Sequence, residues 1–329
     1  MPRRVAKGVL VKPRKNPKPV VIVAGPTASG KSALALEIAQ RHGGEIINAD
    51  SMQIYRELKV LTARPGDEET ARVPHHLYGT LSVAEPCSAG VWLEMAGPVI
   101  EDIWARGALP VVCGGTGLYL KVLMEGIAPV PEVPRETVTE AETLLAETGG
   151  EAFLEALREI DPDAAETLQP GDRQRLVRAY SVWRATGRPL SAWRSEQAPG
   201  PMINGRFLKI VFALERERLY ARIEARFETM VAAGALEEVA ALQPLALDPA
   251  LPALKALGVP EFRRHLDGEC ELSESIDKAK QLTRNFAKRQ TTWFRGQMAA
   301  DVVTDRFGAE ALDDVLPVLE DFLQGSEPE

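Results

Sequence analysis

Apolar runs alternate with amphipathic segments along the first 120 or so residues. Residues 20–24, 45–48 and 109–113 are short and mainly apolar, which predicts strands buried on both faces. Residues 31–42 and 86–106 carry apolar residues at helical spacing instead. This alternation predicts an α/β fold, with a parallel sheet flanked by helices. On the second of these helices we expect six buried positions, namely Val91, Leu93, Met95, Val99, Ile100 and Ile103.

The pattern changes near residue 128. Residues 128–205 show helical periodicity with almost no strand signal, and a strong strand candidate at 207–214 follows and is expected to rejoin the sheet. We therefore predict a core domain made of residues 20–127 and 206–325, interrupted by a small all-helical insertion domain at 128–205. The basic, proline-rich residues 1–19 are expected to form a disordered arm.

The composition limits the classes of protein to which this chain can belong. The 329 residues are 45% hydrophobic, enough for a sizeable core, and no apolar run approaches the length of a membrane span. The basic N-terminus lacks the apolar stretch of a secretory signal. Cys87, Cys113 and Cys270 are scattered and odd in number, a pattern typical of a reducing compartment and not of a disulfide framework or a zinc site. We predict a cytoplasmic protein with no membrane partner.

A phosphate-binding motif, GxxxxGK[ST], directly follows the first predicted strand. Gly25 and Gly30 are expected to let the backbone turn so that successive N–H groups point at one anion. Lys31 adds a positive charge, and Ser32 offers a hydroxyl to Mg²⁺. The motif predicts a P-loop, nucleotide-kinase-like core that binds a di- or triphosphate through the residues Gly25, Pro26, Thr27, Ala28, Ser29, Gly30, Lys31 and Ser32.

Charge is unevenly distributed. The net charge of −8 argues against a nucleic-acid partner, but three segments are locally basic: residues 2–36, 173–195 and 283–295. The third interleaves its cations with aromatic residues. Taken alone, each segment is compatible with a solvated surface. Together with the phosphate loop, they favour a polyphosphate or nucleic-acid partner.

Six motifs, in this order along the chain, resemble those of the tRNA dimethylallyltransferases (tRNA isopentenyl-diphosphate transferases). The resemblance covers nearly all of residues 20–297. The phosphate loop alone is compatible with many families, whereas six motifs at matching spacing are specific to one. They are GPTASGKS at 25–32, NADSMQIY at 48–55, VPHHL at 73–77, GGTGLY at 114–119, DRQRLVRA at 172–179 and TRNFAKRQTTWFR at 283–295.

The resemblance implies transfer of a dimethylallyl group from dimethylallyl diphosphate to N6 of an adenosine. That adenosine lies just 3′ of the anticodon, in the anticodon stem-loop of tRNA, and diphosphate is released. Mg²⁺ is the implied cofactor, held in part by Ser32. Asp50 is expected to accept the N6 proton as general base; a helix N-cap is its alternative role. Thr116 is expected near the leaving oxygen and the adenine, and Lys31 is expected to stabilise the diphosphate.

The resemblance also assigns an arginine to the diphosphate. Arg222 is expected in that role and Arg226 is the alternative, while the sequence leaves open a surface ion pair with Glu224 or Glu228. The adenosine is expected to flip out of its stack to reach the donor. Contacts to tRNA are expected at Asp50, Ser51, Met52, Gln53, Thr116, Arg135, Gln174 and Arg178.

Three other functions stay open at this stage. A small-molecule or nucleotide kinase would use ATP at the same loop, but it leaves the arginine-rich insertion unexplained. A prenyltransferase acting on free AMP would need no tRNA-sized surface. An RNA-binding GTPase or scaffold is disfavoured because no guanine-recognition signature is present. The adjacent pair His75 and His76 is not expected to bind a metal, because neighbouring side chains diverge and no third ligand is suitably spaced. We expect a monomer.

Overall fold

A parallel sheet of six strands organises the larger part of the molecule. The computed structural model describes residues 16–196 and 203–325. The strand order is β3-β2-β4-β1-β5-β6, and every neighbouring pair is parallel. The strands are β1 (Lys18–Ala24), β2 (Gly44–Asn48), β3 (His75–His76), β4 (Leu109–Gly114), β5 (Gly205–Phe212) and β6 (Val302–Thr304).

The centre of this sheet follows the hydrophobic pattern. Residues 20–24 of β1 are fully buried, as expected for a strand with neighbours on both sides and helices on both faces. Val21 lies opposite Val111 of β4 on one side and opposite Leu208 of β5 on the other. The α/β fold is confirmed, and so is the return of the 207–214 segment to the sheet.

Helices connect these strands. The α-helices are α1 (Lys31–Arg41), α2 (Asp67–Arg72), α3 (Ala89–Ala105), α4 (Gly117–Glu125), α5 (Arg135–Ile160), α6 (Pro162–Thr167), α7 (Arg173–Thr186), α8 (Leu190–Ser195), α9 (Arg216–Ala232), α10 (Ala235–Ala240), α11 (Val259–Leu266), α12 (Leu272–Gln297) and α13 (Leu312–Gln324). Short 3₁₀ turns lie at Gln243–Leu245, Pro252–Lys255 and Gly308–Ala311.

The buried face of α3 differs from the prediction at its first turn. Val91 is 39% exposed, whereas Trp92 is fully buried. The Trp92 indole N–H donates a hydrogen bond to the Asn48 carbonyl oxygen at 2.8 Å. The helix begins after Ser88, whose hydroxyl caps the Val91 N–H. The prediction did not include Trp92 among the buried positions. A buried indole needs an apolar pocket and also an acceptor for its N–H, and the acceptor here lies on another element.

Contacts divide the chain into two compact units. Within the described residues, the α/β unit holds 16–124 and 203–325, and the helical unit holds 125–196. The core of the helical unit brings α5, α6, α7 and α8 together around residues such as Phe153, Leu157 and Leu176. Helix α5 bends at Gly149, where φ is +78°.

Two predictions concern segments that the structure covers only in part. Of the proposed arm at 1–19, residues 1–15 lie outside the described residues, but Lys18 and Pro19 open β1 opposite Gly205 and Arg206. The prediction of a disordered arm is therefore wrong at residues 18 and 19, which begin β1. Proline is tolerated at the first positions of a strand. The proline signal at 199–201 also lies outside the described residues. Among the described helices, none combines the length and apolarity needed to cross a membrane.

Candidate active site

The phosphate loop connects β1 to α1 and depends on glycine at two positions for different reasons. Gly30 has a φ of +86°, and an added Cβ would lie 2.5 Å from the backbone nitrogen of Gly308. Gly25 has no positive φ; its added Cβ would lie 2.8 Å from Cβ of Phe212. The expectation of unusual backbone conformation is therefore correct for Gly30 and wrong for Gly25, where close packing excludes a side chain.

Two polar groups of the loop differ in their partners. The Thr27 N–H donates to Oε1 of Gln290 at 2.8 Å, so a side chain of α12 takes up this donor. The Ser29 hydroxyl is buried, and no hydrogen-bond partner for it lies within the described residues. Buried polar atoms normally have a partner. The Ser29 hydroxyl is an exception to this rule.

Three cations surround the loop. Lys31 Nζ donates to the Pro26 carbonyl oxygen at 3.4 Å. From α9, the Arg222 Nε donates to the Ala28 carbonyl oxygen at 3.2 Å, and Nη2 of Arg226 donates to the Thr27 hydroxyl. The two arginines are one helical turn apart, so both side chains reach the same loop. The arrangement concentrates positive charge at the loop that the motif predicts to bind a phosphate.

The ion-pair alternative for these arginines is wrong. Glu224 binds Arg284 at 2.7 Å, and Glu228 binds Lys280 at 2.9 Å. Both carboxylates therefore pair with cations of α12. The Cζ atoms of Arg222 and Arg218 instead lie over the Phe307 ring, at 4.5 and 4.8 Å from its centroid.

The loop cations are perturbed by their surroundings. Burial lowers the pKa of Lys31, and the nearby Asp50 carboxylate opposes this shift. Burial also lowers the pKa of Arg226, to about 10, with Asp50 again opposing and Arg222 adding to the shift. Crowded, partly desolvated cations gain from a bound anion, because it replaces the water that burial removed.

The end of β2 presents Asp50 in a fixed turn. Its Oδ1 accepts the Met52 N–H at 2.9 Å, and its own N–H donates to Oδ1 of Asn48 at 2.8 Å. The buried Asn48 amide also donates to the carbonyl oxygens of Asp50 and Leu77, at 2.9 and 3.1 Å. Residues 51–54 form turns and no helix begins there, so the N-cap alternative for Asp50 is wrong.

Thr116 joins the neighbouring strand end to this turn. Its Oγ1 accepts the Ser51 N–H at 2.9 Å, and its hydroxyl lies 3.3 Å from the Ser51 hydroxyl. The Thr116 N–H donates to the Ala49 carbonyl oxygen at 3.1 Å. Close approach depends on Gly114, since an added Cβ would lie 2.2 Å from the Ala49 carbonyl carbon. The loops after β1, β2 and β4 thus meet at one edge of the sheet.

Gln53 anchors the turn to the following loop. Its Nε2 donates to the carbonyl oxygens of Thr62 and Ala63, at 2.8 and 3.2 Å. Ser51, Met52 and Gln53 are all partly buried. They lie directly beside Asp50, so a substrate that reached the carboxylate would also meet these three residues.

The donor set suits a magnesium ion shared with a bound phosphate. Ser32 is exposed at the start of α1 and offers a hydroxyl oxygen. Cys113 is a neutral thiol, because burial raises its pKa to about 11 against the opposing effects of Lys31 and Ser32. No group of three or more His, Cys, Asp or Glu side chains among the described residues could hold a metal. Mg²⁺ commonly binds through one or two protein oxygens together with phosphates and water, so the Ser32 hydroxyl fits it.

His75 and His76 form the edge strand β3. The His75 Nδ1 lies 2.9 Å from the Val73 carbonyl oxygen, and the His76 Nε2 lies 2.6 Å from a Glu45 carboxylate oxygen. Arg106 binds the same carboxylate at 2.9 Å. The pair has a structural role at the sheet edge.

The remaining predicted RNA contacts lie in the helical unit. Gln174 and Arg178 are one turn apart on α7 and line a cleft between α5 and α7, with the buried Ser181 also in its wall. Burial and the nearby Arg194 both lower the pKa of Arg178. Arg135 is exposed at the first turn of α5 and is not among the residues that line this cleft.

Comparison with known proteins gives a consistent result. The model of a family described as IPP transferase matches residues 53–297, and that of an isopentenyl transferase family matches residues 18–78. The chain is 52% identical to the tRNA dimethylallyltransferase of Parvibaculum lavamentivorans over 280 residues, which cover 85% of this chain and 88% of that protein. It is 48% identical to the same enzyme of Rhodospirillum rubrum over 306 residues, 93% of this chain and 94% of the relative.

Solved structures agree with these matches. The full-length tRNA isopentenylpyrophosphate transferase of Bacillus halodurans aligns with a TM-score of 0.68 and 31% identity, covering 94% of this chain and 98% of that chain. A eukaryotic dimethylallyltransferase acting on tRNA aligns with a TM-score of 0.77 and 26% identity, covering 95% and 81% of the two chains.

Proposed function

The chain belongs to the tRNA dimethylallyltransferase family and transfers a dimethylallyl group to tRNA, and from this premise we propose its donor, its acceptor atom and its catalytic groups. The donor is dimethylallyl diphosphate, and the acceptor is N6 of the adenosine 3′ of the anticodon. One observation carries the proposal: the cation-rich phosphate loop after β1 and the Asp50 carboxylate after β2 lie on either side of β4, close enough for Asp50 to act on the pKa of Lys31.

The diphosphate occupies the phosphate loop. As the C1–O bond of the donor breaks, the electron pair stays on the diphosphate oxygen, and negative charge grows there. Lys31, Arg222 and Arg226 neutralise that charge. Groups already oriented toward developing charge are usually the largest contribution to catalysis.

Asp50 acts as the general base. The adenine amine is a weak nucleophile because its lone pair is delocalised into the ring. Its N6 attacks C1 of the dimethylallyl group, and the Asp50 carboxylate accepts the N6 proton as the C–N bond forms. The hydrogen bond from the Met52 N–H leaves the second carboxylate oxygen to face the substrate. General-base help of this kind is typically worth about 10²–10⁴-fold in rate.

Mg²⁺ bound to the diphosphate would be held by the Ser32 hydroxyl and would neutralise charge on the phosphate oxygens. Ser51, Met52, Gln53 and Thr116 contact the flipped adenosine and its neighbours. Arg135, Gln174 and Arg178 contact the tRNA, and arginines at phosphates position the RNA without reading its sequence. We retain the predictions of a cytoplasmic monomer.

A kinase, one of the functions that the sequence alone left open, would use the same loop for ATP. The carboxylate beside the loop does not distinguish the two, since kinases also use an aspartate base. The identity of the donor, dimethylallyl diphosphate or ATP, distinguishes the transferase from a kinase. The identity of the acceptor, tRNA or AMP, distinguishes it from a prenyltransferase that acts on free AMP.

The test uses purified protein, Mg²⁺, radiolabelled dimethylallyl diphosphate and unmodified tRNA with adenosine 3′ of the anticodon. Matched reactions contain tRNA with guanosine at that position, AMP in place of tRNA, or ATP in place of the prenyl donor. We expect label in the adenosine-containing tRNA alone. Label in AMP would overturn the acceptor, and phosphate transfer from ATP without prenyl transfer would support the kinase.

A further inference from the structure

Gln290 connects the phosphate loop to the loop that follows β4. The proposed reaction requires these two loops at a fixed distance from each other. This residue lies on α12 and is buried. Its Oε1 accepts the Thr27 N–H of the phosphate loop at 2.8 Å, and its Nε2 donates to the Gly115 carbonyl oxygen at 2.8 Å. One planar carboxamide thus spans two loops that are far apart in sequence.

The contact with Gly115 is direct and tight. A Cβ added at Gly115 would lie 2.3 Å from Nε2 of Gln290, so the amide occupies the space of a side chain there. Gly115 precedes Thr116, whose Oγ1 accepts the Ser51 N–H next to Asp50. Hydrogen bonds therefore lead from the phosphate loop through Gln290 to Gly115, the peptide bond leads on to Thr116, and a further hydrogen bond reaches the turn that carries Asp50.

The Thr27 N–H and the Gly115 carbonyl oxygen together require a side chain that carries both an acceptor and a donor. A backbone N–H must meet an acceptor, and a backbone carbonyl must meet a donor, so the amide orientation is fixed by its neighbours. Glutamate in its ionised form would accept from Thr27 but would repel the Gly115 carbonyl oxygen. A neutral carboxylic acid could satisfy both partners, because it combines an acceptor and an O–H donor.

We infer that Gln290 is a positioning residue that fixes the separation between the diphosphate loop and the Thr116–Asp50 turn. This inference rests on the proposed function. The separation sets the distance between the C1 atom of the donor and N6 of the adenosine. A misplacement of about 1 Å can lower the rate about 100-fold. The effect therefore falls on the chemical step, with little effect on the affinity for tRNA.

The test compares Gln290→Ala and Gln290→Glu in the full chain, with Gln281→Ala as the matched control. Gln281 lies on the exposed side of the same helix. We expect the single-turnover rate of Gln290→Ala to fall about 10- to 100-fold, with the Kd for tRNA unchanged within about twofold. Gln281→Ala should match the wild type in both measurements.

The glutamate variant gives a pH signature. Burial raises the pKa of a glutamate above its usual value of about 4.3. The rate of Gln290→Glu, divided by the wild-type rate at each pH, should rise about tenfold between pH 8 and pH 6 as the acid becomes neutral. The same ratio for Gln290→Ala should stay flat.

Several results would overturn the inference. One is a wild-type rate in Gln290→Ala. Another is a rate relative to the wild type that does not change with pH in either variant. A third is loss of folding in both variants, measured by thermal melting, which would make the residue merely structural. Absence of transfer by the wild-type chain itself would reject the proposed function instead, so the two failures are distinguishable.

Discussion

At the scale of single residues, hydrogen bonds fix the position of Asp50, the proposed general base. Asn48 fixes the backbone of Asp50 through hydrogen bonds in both directions, and Trp92 holds Asn48 in turn. Met52 occupies one carboxylate oxygen. The side chain therefore does not need to reorganise when the adenosine arrives, and this is the geometric advantage of a preorganised base.

Asp50→Asn tests this role with little change in shape. The asparagine oxygen can still accept the Met52 N–H, but the amide cannot take the N6 proton. We expect single-turnover transfer to fall by about 10²-fold or more, with the Kd values for tRNA and for inorganic diphosphate nearly unchanged. Asp67→Asn, at a fully exposed carboxylate, is the control. Unchanged transfer in Asp50→Asn would remove the assignment.

The arginines of α9 show a finer division at the same scale. Arg226 binds the Thr27 side chain and has a pKa lowered by burial, whereas Arg222 binds a backbone carbonyl and stacks on Phe307. Both therefore contact the phosphate loop, and we propose both as ligands of the diphosphate.

At the scale of elements, a carboxylate of α10 holds the loop that follows the active-site turn. Glu238 accepts three successive backbone N–H groups, those of Lys59 and Val60 at 2.7 Å and that of Leu61 at 3.0 Å. Gln53 binds the same loop at the next residue, through the Thr62 carbonyl oxygen. The position of α10 is thereby transmitted to a segment expected to contact the flipped adenosine.

Glu238→Ala should loosen this connection. Hydrogen bonds to a charged group contribute about 1.5–3 kcal/mol. Since Glu238 is only half-buried, we expect the free energy of unfolding to fall by about 1–3 kcal/mol. The KM for tRNA should rise, while the KM for the prenyl donor should not change. Glu237→Ala, at the exposed neighbouring position, should lie within about 0.5 kcal/mol of the wild type in chemical denaturation. Equal stability of the two variants would contradict this role.

The elements also show which parts of the molecule a sequence can reveal. Long apolar runs gave β1 and β4 correctly, because burial on both faces leaves a strong pattern. Strands β3 and β6 have two and three residues, too few for any period to appear. They exist because the sheet edge offers them a partner, and that partner is distant in the chain.

The same distinction applies to the site. The phosphate motif indicated Lys31, and the resemblance to the family indicated Asp50, because both residues lie in recognisable local motifs. Gln290 and Asn48 lie inside recognised motifs, yet their partners are spread over the fold. Hydrogen bonds across 263 and 29 residues leave no local signal, so these positioning roles became visible only from three-dimensional contacts.

At the scale of the whole molecule, net charge and local charge have opposite signs. The chain carries a net charge of −8, which repels RNA at long range. Burial lowers the pKa of Arg178 on α7, and repulsion from the nearby Arg194 of α8 lowers it further. A phosphate bound beside Arg178 would relieve this repulsion. Binding of tRNA should therefore depend on a few local contacts, with a strong dependence on salt.

Arg178→Ala tests that dependence. Each phosphate contact adds to the slope of log K against log salt, so losing one should reduce the magnitude of the slope by about 1. We expect weaker tRNA binding at low salt and a smaller difference from the wild type as salt rises. Arg158→Ala, at an exposed arginine of α5 paired with Glu155, controls for the loss of one positive charge. If both variants changed the slope equally, net charge would explain the effect. A change confined to Arg178→Ala assigns a phosphate to the α7 cleft.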